Sequence, residues 1–224
     1  MTAPIREFRL KILYARNGIG VYFTHLESMH TLIKALRRSG LPYAVTQGCH
    51  IRPKMSFGPP LPMGHSSTCE FVDLYLREEI DLVEARKRLQ PQMPPGFSLI
   101  DLIPVSADEG TFSSENLVKY RLVLAPSANE TAEAIMRFLS DPAKTFKGRR
   151  GDTITTFTLG ATITHLSRHQ LSDGEEIHIE FHQGKPGSPS ASKILTAIQE
   201  ELGEQCEKIV EMERVALLPL PKTT

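Results

Sequence analysis

Hydrophobic residues in this chain switch between a two-residue period and a helical period, and the switches come in the same order twice. Phe8, Leu10, Ile12 and Tyr14 share one side of a strand whose other side carries Arg9 and Lys11. Thr24-His25-Leu26-Glu27 then reads as a capping box, with Thr24 as N-cap and Glu27 reaching back to its amide. The helix it opens carries Leu26, Met29, Ile33 and Leu36 at helical spacing, and Gly40 stops it. A short strand at 43–46, a strand at 70–76, a helix at 81–89 and a strand at 97–105 complete the first round. The second round has a strand at 120–124, a helix at 130–139 ended by Pro142, and strands at 153–164 and 176–181. It closes with a helix at 190–202 and a strand at 209–217. Strand-helix-strand-strand-helix-strand, twice, predicts an α+β protein of two tandem ferredoxin-like (βαββαβ) units. The units are expected at residues 1–106 and 117–224, with the polar run 107–116 as linker.

Net charge is zero, but it is unevenly spread. Residues 1–60 hold nine Lys/Arg against two acids, a balance of +7. Residues 61–116 hold four bases against ten acids, a balance of −6. A basic N-terminal quarter points to an anionic partner, and internal neutralisation by the acidic stretch is the competing explanation. Cys49, Cys69 and Cys206 are scattered and form no CxxC pair, so neither a disulfide framework, a metal site nor an iron–sulfur cluster is expected. No cofactor is expected either. No run of about 18 apolar residues occurs, and the first residues lack the apolar stretch of a signal peptide. A cytoplasmic protein with no membrane association is the expectation.

Between two strand-like runs lies Gly48–Gly64, rich in glycine and proline, which reads as a shaped loop. His50, Arg52 and Lys54 alternate along it and fall on one side, a plausible clamp for a phosphate or carboxylate. A solvated edge explains the same pattern. The Ser56-Phe57-Gly58-Pro59-Pro60 run is read as a rigid wall and not as a Walker loop, since no Gly-Lys-Ser/Thr follows. His25 stands at the first helical position and is the candidate general acid or base. Glu27 is accounted for by capping. Arg37 and Arg38 suit the helix C-terminus, and Arg38 also counts as a candidate ligand contact. Phe71 and Tyr75 would stack bases if exposed. Lys144, Lys147, Arg149 and Arg150 form the densest basic cluster, in a hairpin or loop suited to phosphate contact.

The block from Phe23 to Gly64 is similar to the N-terminal block of the bacterial radical SAM-linked protein family. Thr24-His25-Leu26-Glu27, Arg37-Arg38-Ser39-Gly40-Leu41-Pro42, Gln47-Gly48 and Ser56 to Gly64 occupy that family's motif positions. Glu70–Leu76 and the Lys147–Asp152 turn are weaker echoes. Where the family carries Gly-Phe-Asn-Pro after the glutamine, this chain has Gly48-Cys49-His50-Ile51, so a role tied to that Asn or Pro does not transfer. The resemblance implies a radical SAM enzyme as partner, and this chain lacks the CxxxCxxC cluster motif of the radical enzyme itself. It also implies genomic company of RNA-processing and ribosomal genes.

The expected function is therefore an RNA- or anion-binding accessory protein that presents substrate to a radical SAM partner. The expected contacts are His25, Arg38, His50, Arg52, Lys54, Ser56, Lys147, Arg149 and Arg150, along one groove. Two rivals stand. One is a metal-independent endoribonuclease with His25 as general base and Lys54 or Arg52 stabilising the phosphorane, by fold-level analogy with CRISPR repeat-processing enzymes. The other is a structural adaptor that binds only protein and presents an exposed apolar patch.

Overall fold

The computed structural model describes residues 8–47, 51–106, 115–150, 153–184 and 188–219, with positions 149 and 150 in backbone only. The chain divides into two compact units, Met1–Phe112 and Ser113–Thr224. Both are mixed α+β and built on antiparallel strands. Among the described residues no helix is long and apolar enough to cross a membrane.

The first unit runs β1 (Phe8–Arg16), α1 (His25–Arg38), β2 (Met55–Phe57), β3 (Ser66–Leu76), α2 (Leu82–Leu89) and β4 (Phe97–Val105). β1 pairs antiparallel with both β3 and β4, and β2 pairs with β3. The alternation of β1 sends Leu10, Ile12 and Tyr14 to the helix side, where Val72, Leu74 and Leu76 of β3 meet them. Leu32 and Leu36 of α1 and Ala85 and Leu89 of α2 close that core. The capping box forms as expected. Thr24 Oγ1 accepts from the Glu27 amide at 3.3 Å, and Glu27 Oε2 accepts from the Thr24 amide at 2.9 Å. The Thr24 amide and the Thr24 hydroxyl, which donates to the same carboxylate oxygen at 2.8 Å, hold the Glu27 carboxyl below its ordinary pKa.

The second strand of this unit is not at 43–46. Tyr43 and Val45 make only isolated bridges, and the strand is Met55–Phe57, inside the stretch read as loop. Three residues between Pro53 and Pro59 carry too short a pattern to announce a strand, and prolines flanking a strand are tolerated where pairing is short.

Backbone meets backbone at Gly20 and Gly96. Asn17 N donates to Gly96 O at 3.0 Å, Gly96 has φ +82°, and a Cβ on either glycine would strike the other's backbone. A left-handed alanine alone costs about 1–2 kcal/mol. Gly96→Ala is therefore expected to lose more than that, measured as a fall in the urea midpoint at unchanged slope.

The second unit runs β5 (Asn116–Leu124), α3 (Asn129–Ser140), β6 (Thr145–Arg150), β7 (Thr153–Thr158), α4 (Leu159–Thr162), β8 (Ile163–Leu171), β9 (Gly174–Gln183), α5 (Ala191–Leu202) and β10 (Ile209–Pro219). β5 pairs with β10 and β9, β9 also with β8, and β6 with β7 as a separate hairpin. Asn116, assigned above to the linker, opens β5 and is fully buried; 107–114 lie outside the described residues. The single strand expected at 153–164 is broken by α4. There Gly160 lies so close to Pro142 that a Cβ would come within 2.8 Å of the Pro142 carbonyl oxygen.

Val118, Tyr120 and Leu122 of β5 and Ile177, Ile179 and Phe181 of β9 are buried on one side of this sheet. The other side is polar. Arg121 bonds Glu176 at 2.8 Å and Glu213 at 2.6 Å, and Lys119 bonds Glu180 at 2.5 Å. Burial pushes the Glu176 carboxyl up, but hydrogen bonds from His178 and Arg121 and their charge outweigh it, so its pKa lies below the ordinary value. A folded-state pKa below the unfolded one means stability that is present above the unfolded value of ~4.3 and lost as pH falls through the lower folded value. Glu176→Gln is expected to flatten the fall in Tm on acidification from about pH 5 to pH 3, read by thermal melts across that range.

Candidate anion-binding face

The side of the first sheet turned away from α1 and α2 gathers the cations of two chain segments around the middle strand β3. Opposite residues in an antiparallel pair share a face. Arg9 pairs with Tyr75 and Lys11 with Asp73 across β1 and β3. Ser56 pairs with Asp73 across β2 and β3, and the Tyr75 amide donates to the Lys54 carbonyl at 3.1 Å. The result is two rows across the sheet: Arg9, Tyr75, Lys54 and Lys11, Asp73, Ser56.

The lysines lie over the rings of this face. Lys11 Nζ sits 5.2 Å from the centroid of Phe71, and Lys54 Nζ sits 4.7 Å from that of Tyr75. Each such contact is worth roughly 0.5–1 kcal/mol where water reaches it, enough to orient the ammonium while leaving its charge outward. Phe71 and Asp73 are buried beneath, while Arg9, Lys11, Lys54 and Tyr75 are half-buried and Ser56 is exposed. Phe71 is 5% exposed, so it does not offer a ring for stacking; the surface presented is cationic. Two strand spacings separate Arg9 from Lys54 at the backbone, about 10 Å, and that is also the Debye length at 0.1 M salt. Arg9, Lys11 and Lys54 thus lie within about one screening length of one another, with Asp73 in the same rows and Asp101, opposite Leu13, on the same face.

Within the first unit, the described residues expected along one groove divide between the two sides of the sheet. Met55 and Phe57 turn toward the helix-side core, which leaves Lys54 and Ser56 on the outer face. His25 packs edge-on to Phe57, with ring centroids 6.3 Å apart, so it stands on the helix side of β2. His25 and Lys54 are thus on opposite faces of one short strand. Arg52 is exposed and follows the same alternation as Lys54, since Pro53 between them is buried. Arg38 ends α1, some 20 Å along the helix from His25. Its guanidinium is used there, donating to Gln92 Oε1 and to the Gln92 carbonyl, both at 3.0 Å. Lys147 is exposed on β6 of the second unit. His50 and the side chains of Arg149 and Arg150 lie outside the described residues.

The expected contacts omit Arg9 and Lys11, and Tyr75 is expected only as a stacking ring. Each strand's alternation is visible in sequence, and it sets Arg9 and Lys11 on the polar side of β1. What sequence lacks is the register that sets them beside Lys54.

Arg16 holds this region together. It is 2% exposed and donates to the carbonyls of Phe23, Pro62 and His65 at 3.3, 2.5 and 3.2 Å and to Ser28 Oγ at 3.4 Å. One guanidinium thus ties the Pro/Gly loop to the start of α1. The Gly64 amide adds a bond to the Val21 carbonyl at 2.7 Å. Around this junction Ile19, Tyr22, Leu26 and Met63 are each about 60–70% exposed. Among the described residues no three His, Cys, Asp or Glu side chains converge as metal ligands; Cys69 and Cys206 are half-buried, and Cys69 Sγ lies 3.5 Å from Ser67 Oγ.

Comparison with solved structures returns chains of low identity. A Cbf5-Nop10-Gar1 complex gives 12% identity over 94% of this chain and 49% of that chain, with a TM-score of 0.45, so this chain spans about half of that one. An unknown protein from Galdieria sulphuraria gives 12% identity, 96% and 100% coverage and a TM-score of 0.27. The acetolactate synthase small subunit from Thermotoga maritima gives 12% identity, 98% and 99% coverage and a TM-score of 0.27. No curated protein matches the chain. A family model, however, matches residues 9–202, which take in the cationic rows of the first sheet, the Pro/Gly loop and α1 to α5. By that match the chain belongs to the family described as an uncharacterized protein conserved in bacteria, DUF2344.

Proposed function

We propose that the protein is an RNA-binding accessory factor that holds a phosphodiester backbone against the outer face of its first sheet. It presents the bound strand to a radical SAM partner enzyme in the cytoplasm. The observation that carries the RNA reading is the meeting of Arg9, Lys11 and Lys54 on one face, with the two ammonium groups propped on Phe71 and Tyr75. The partner enters from the family resemblance and from the missing CxxxCxxC motif. The accompanying fold reading is a tandem pair of ferredoxin-like units. It is supported by the matching sheet orders β4-β1-β3-β2 and β10-β5-β9-β8, the second unit carrying the β6–β7 hairpin and α4 as an insert.

Anisotropy titration of a fluorescent oligouridylate at several salt concentrations tests the RNA reading. The three phosphate contacts of this sheet contribute about −2 to the slope of log K against log salt, at ~0.7 per contact for a single strand. A flat slope or absent binding removes the reading.

A protein-binding role has its own support in the exposed Ile19, Tyr22, Leu26 and Met63 around the α1 start. It predicts that Tyr22→Asp with Met63→Asp abolishes co-purification with a co-expressed radical SAM enzyme and leaves RNA titration unchanged. Retained co-purification rejects it. The endoribonuclease reading has no comparable support, because His25 and Lys54 are on opposite faces of β2.

A further inference from the structure

We infer that the outer row of the β6–β7 hairpin is a second contact for the phosphodiester backbone of a nucleic acid, separate from the first unit's sheet. The inference takes its ligand class from the RNA reading above. The hairpin has one side that is docked and one that is open. On the docked side Phe146 and Phe157 face each other across the strands with centroids 5.4 Å apart, and both are buried. Lys193 of α5 lies over Phe157 at 5.0 Å, and a Cβ on Gly148 would come within 2.5 Å of the Lys193 side chain. Gly148 thus lets α5 pack flat on the ribbon, which fixes which side remains outward.

The other row pairs Thr145 with Thr158, Lys147 with Thr156, and Arg149 with Ile154. Thr145, Lys147, Thr156, Thr158 and Ile154 are all exposed. A cation and three threonine hydroxyls in one open row are the donor set that phosphate oxygens take. The local charge agrees: Lys144, Lys147, Arg149 and Arg150 stand against Asp152 alone in residues 144–158. Of these, Lys144 is committed to Glu201 at 3.1 Å, at the foot of the hairpin. A protein strand added to the edge of β7 is the other occupant such a ribbon admits. The cations favour the polyanion.

The test measures binding of a fluorescent oligouridylate and its oligothymidylate counterpart to wild type, to Lys147→Ala with Thr156→Glu, and to Lys11→Ala with Lys54→Ala. The substituted ribbon residues are exposed, and a thermal melt at wild-type Tm verifies the fold. Lys147→Ala alone serves as a second, milder variant. The ribbon variants are expected to bind about fivefold more weakly at 0.1 M salt and to lose ~0.7 of salt slope. That decrement should persist when combined with the sheet substitutions. A loss confined to RNA assigns the row to RNA, and an equal loss with DNA assigns it to the backbone chemistry that both share; either supports the inference. Binding that responds to the sheet substitutions but not to the ribbon substitutions overturns the inference and keeps the RNA reading of the sheet. Binding that responds only to the ribbon substitutions does the reverse. No binding by wild type overturns both.

Discussion

Arg16→Met is expected to destabilise the first unit by at least about 3 kcal/mol, because it leaves buried acceptors without a donor. The four acceptors are spread over the Phe23 carbonyl before α1, Ser28 within it, and the Pro62 and His65 carbonyls of the Pro/Gly loop. Each buried acceptor left unmet costs ~1–3 kcal/mol, and domains of this size hold only about 5–15 kcal/mol in total. Methionine fills similar volume and supplies no hydrogen, so packing loss is kept small. Urea unfolding measures the effect. Arg16→Lys should recover less than half of it, since an ammonium cannot fork to acceptors on separate segments. Arg37→Met, which removes an exposed contact to the Ile51 carbonyl at 3.4 Å, should stay within about 0.5 kcal/mol. Equal stability of Arg16→Met and wild type would show that the loop is anchored by other means.

The second large effect concerns binding. Lys11→Ala with Lys54→Ala is expected to reduce affinity for oligouridylate about 25-fold at 0.1 M salt and to remove ~1.4 from the salt slope, two contacts' worth. The fold should tolerate the change, because both lysines are half-buried and cover ring faces without entering the core. Ser56→Ala, on the same face without charge, should leave the slope unchanged. Titration series of the three proteins, each at four or more salt concentrations, distinguish these outcomes. A double variant that binds like wild type would move the ligand away from this face.

The sequence made some of this legible through local periodicity. The period-two pattern of residues 8–14 puts Arg9 and Lys11 opposite the core, and the structure agrees. Thr24 and Glu27 form the capping box that their spacing announces. Residues 55–57 escaped because a three-residue strand between prolines has no periodicity to read; its pairing with Leu74, Asp73 and Val72 is a tertiary fact. α4 escaped because the break at Gly160 depends on Pro142 approaching from another turn. The expected grouping of His25 with Lys54 and Ser56 fails for a related reason. His25 and Lys54 are each well placed on their own elements, but β2 lies between them, and only pairing register shows which side each occupies. Arg16 counted in sequence as one of nine bases in the first 60 residues, and its charge is spent inward.

Amine-reactive labelling of the protein with and without saturating oligouridylate, read residue by residue by mass spectrometry, tests the cationic face most directly. Lys11 and Lys54 should lose reactivity when RNA is present, while Lys87, exposed in the last turn of α2 on the helix side, should react equally in both samples. Unchanged labelling of Lys11 and Lys54 under conditions where anisotropy reports a bound strand would contradict the account.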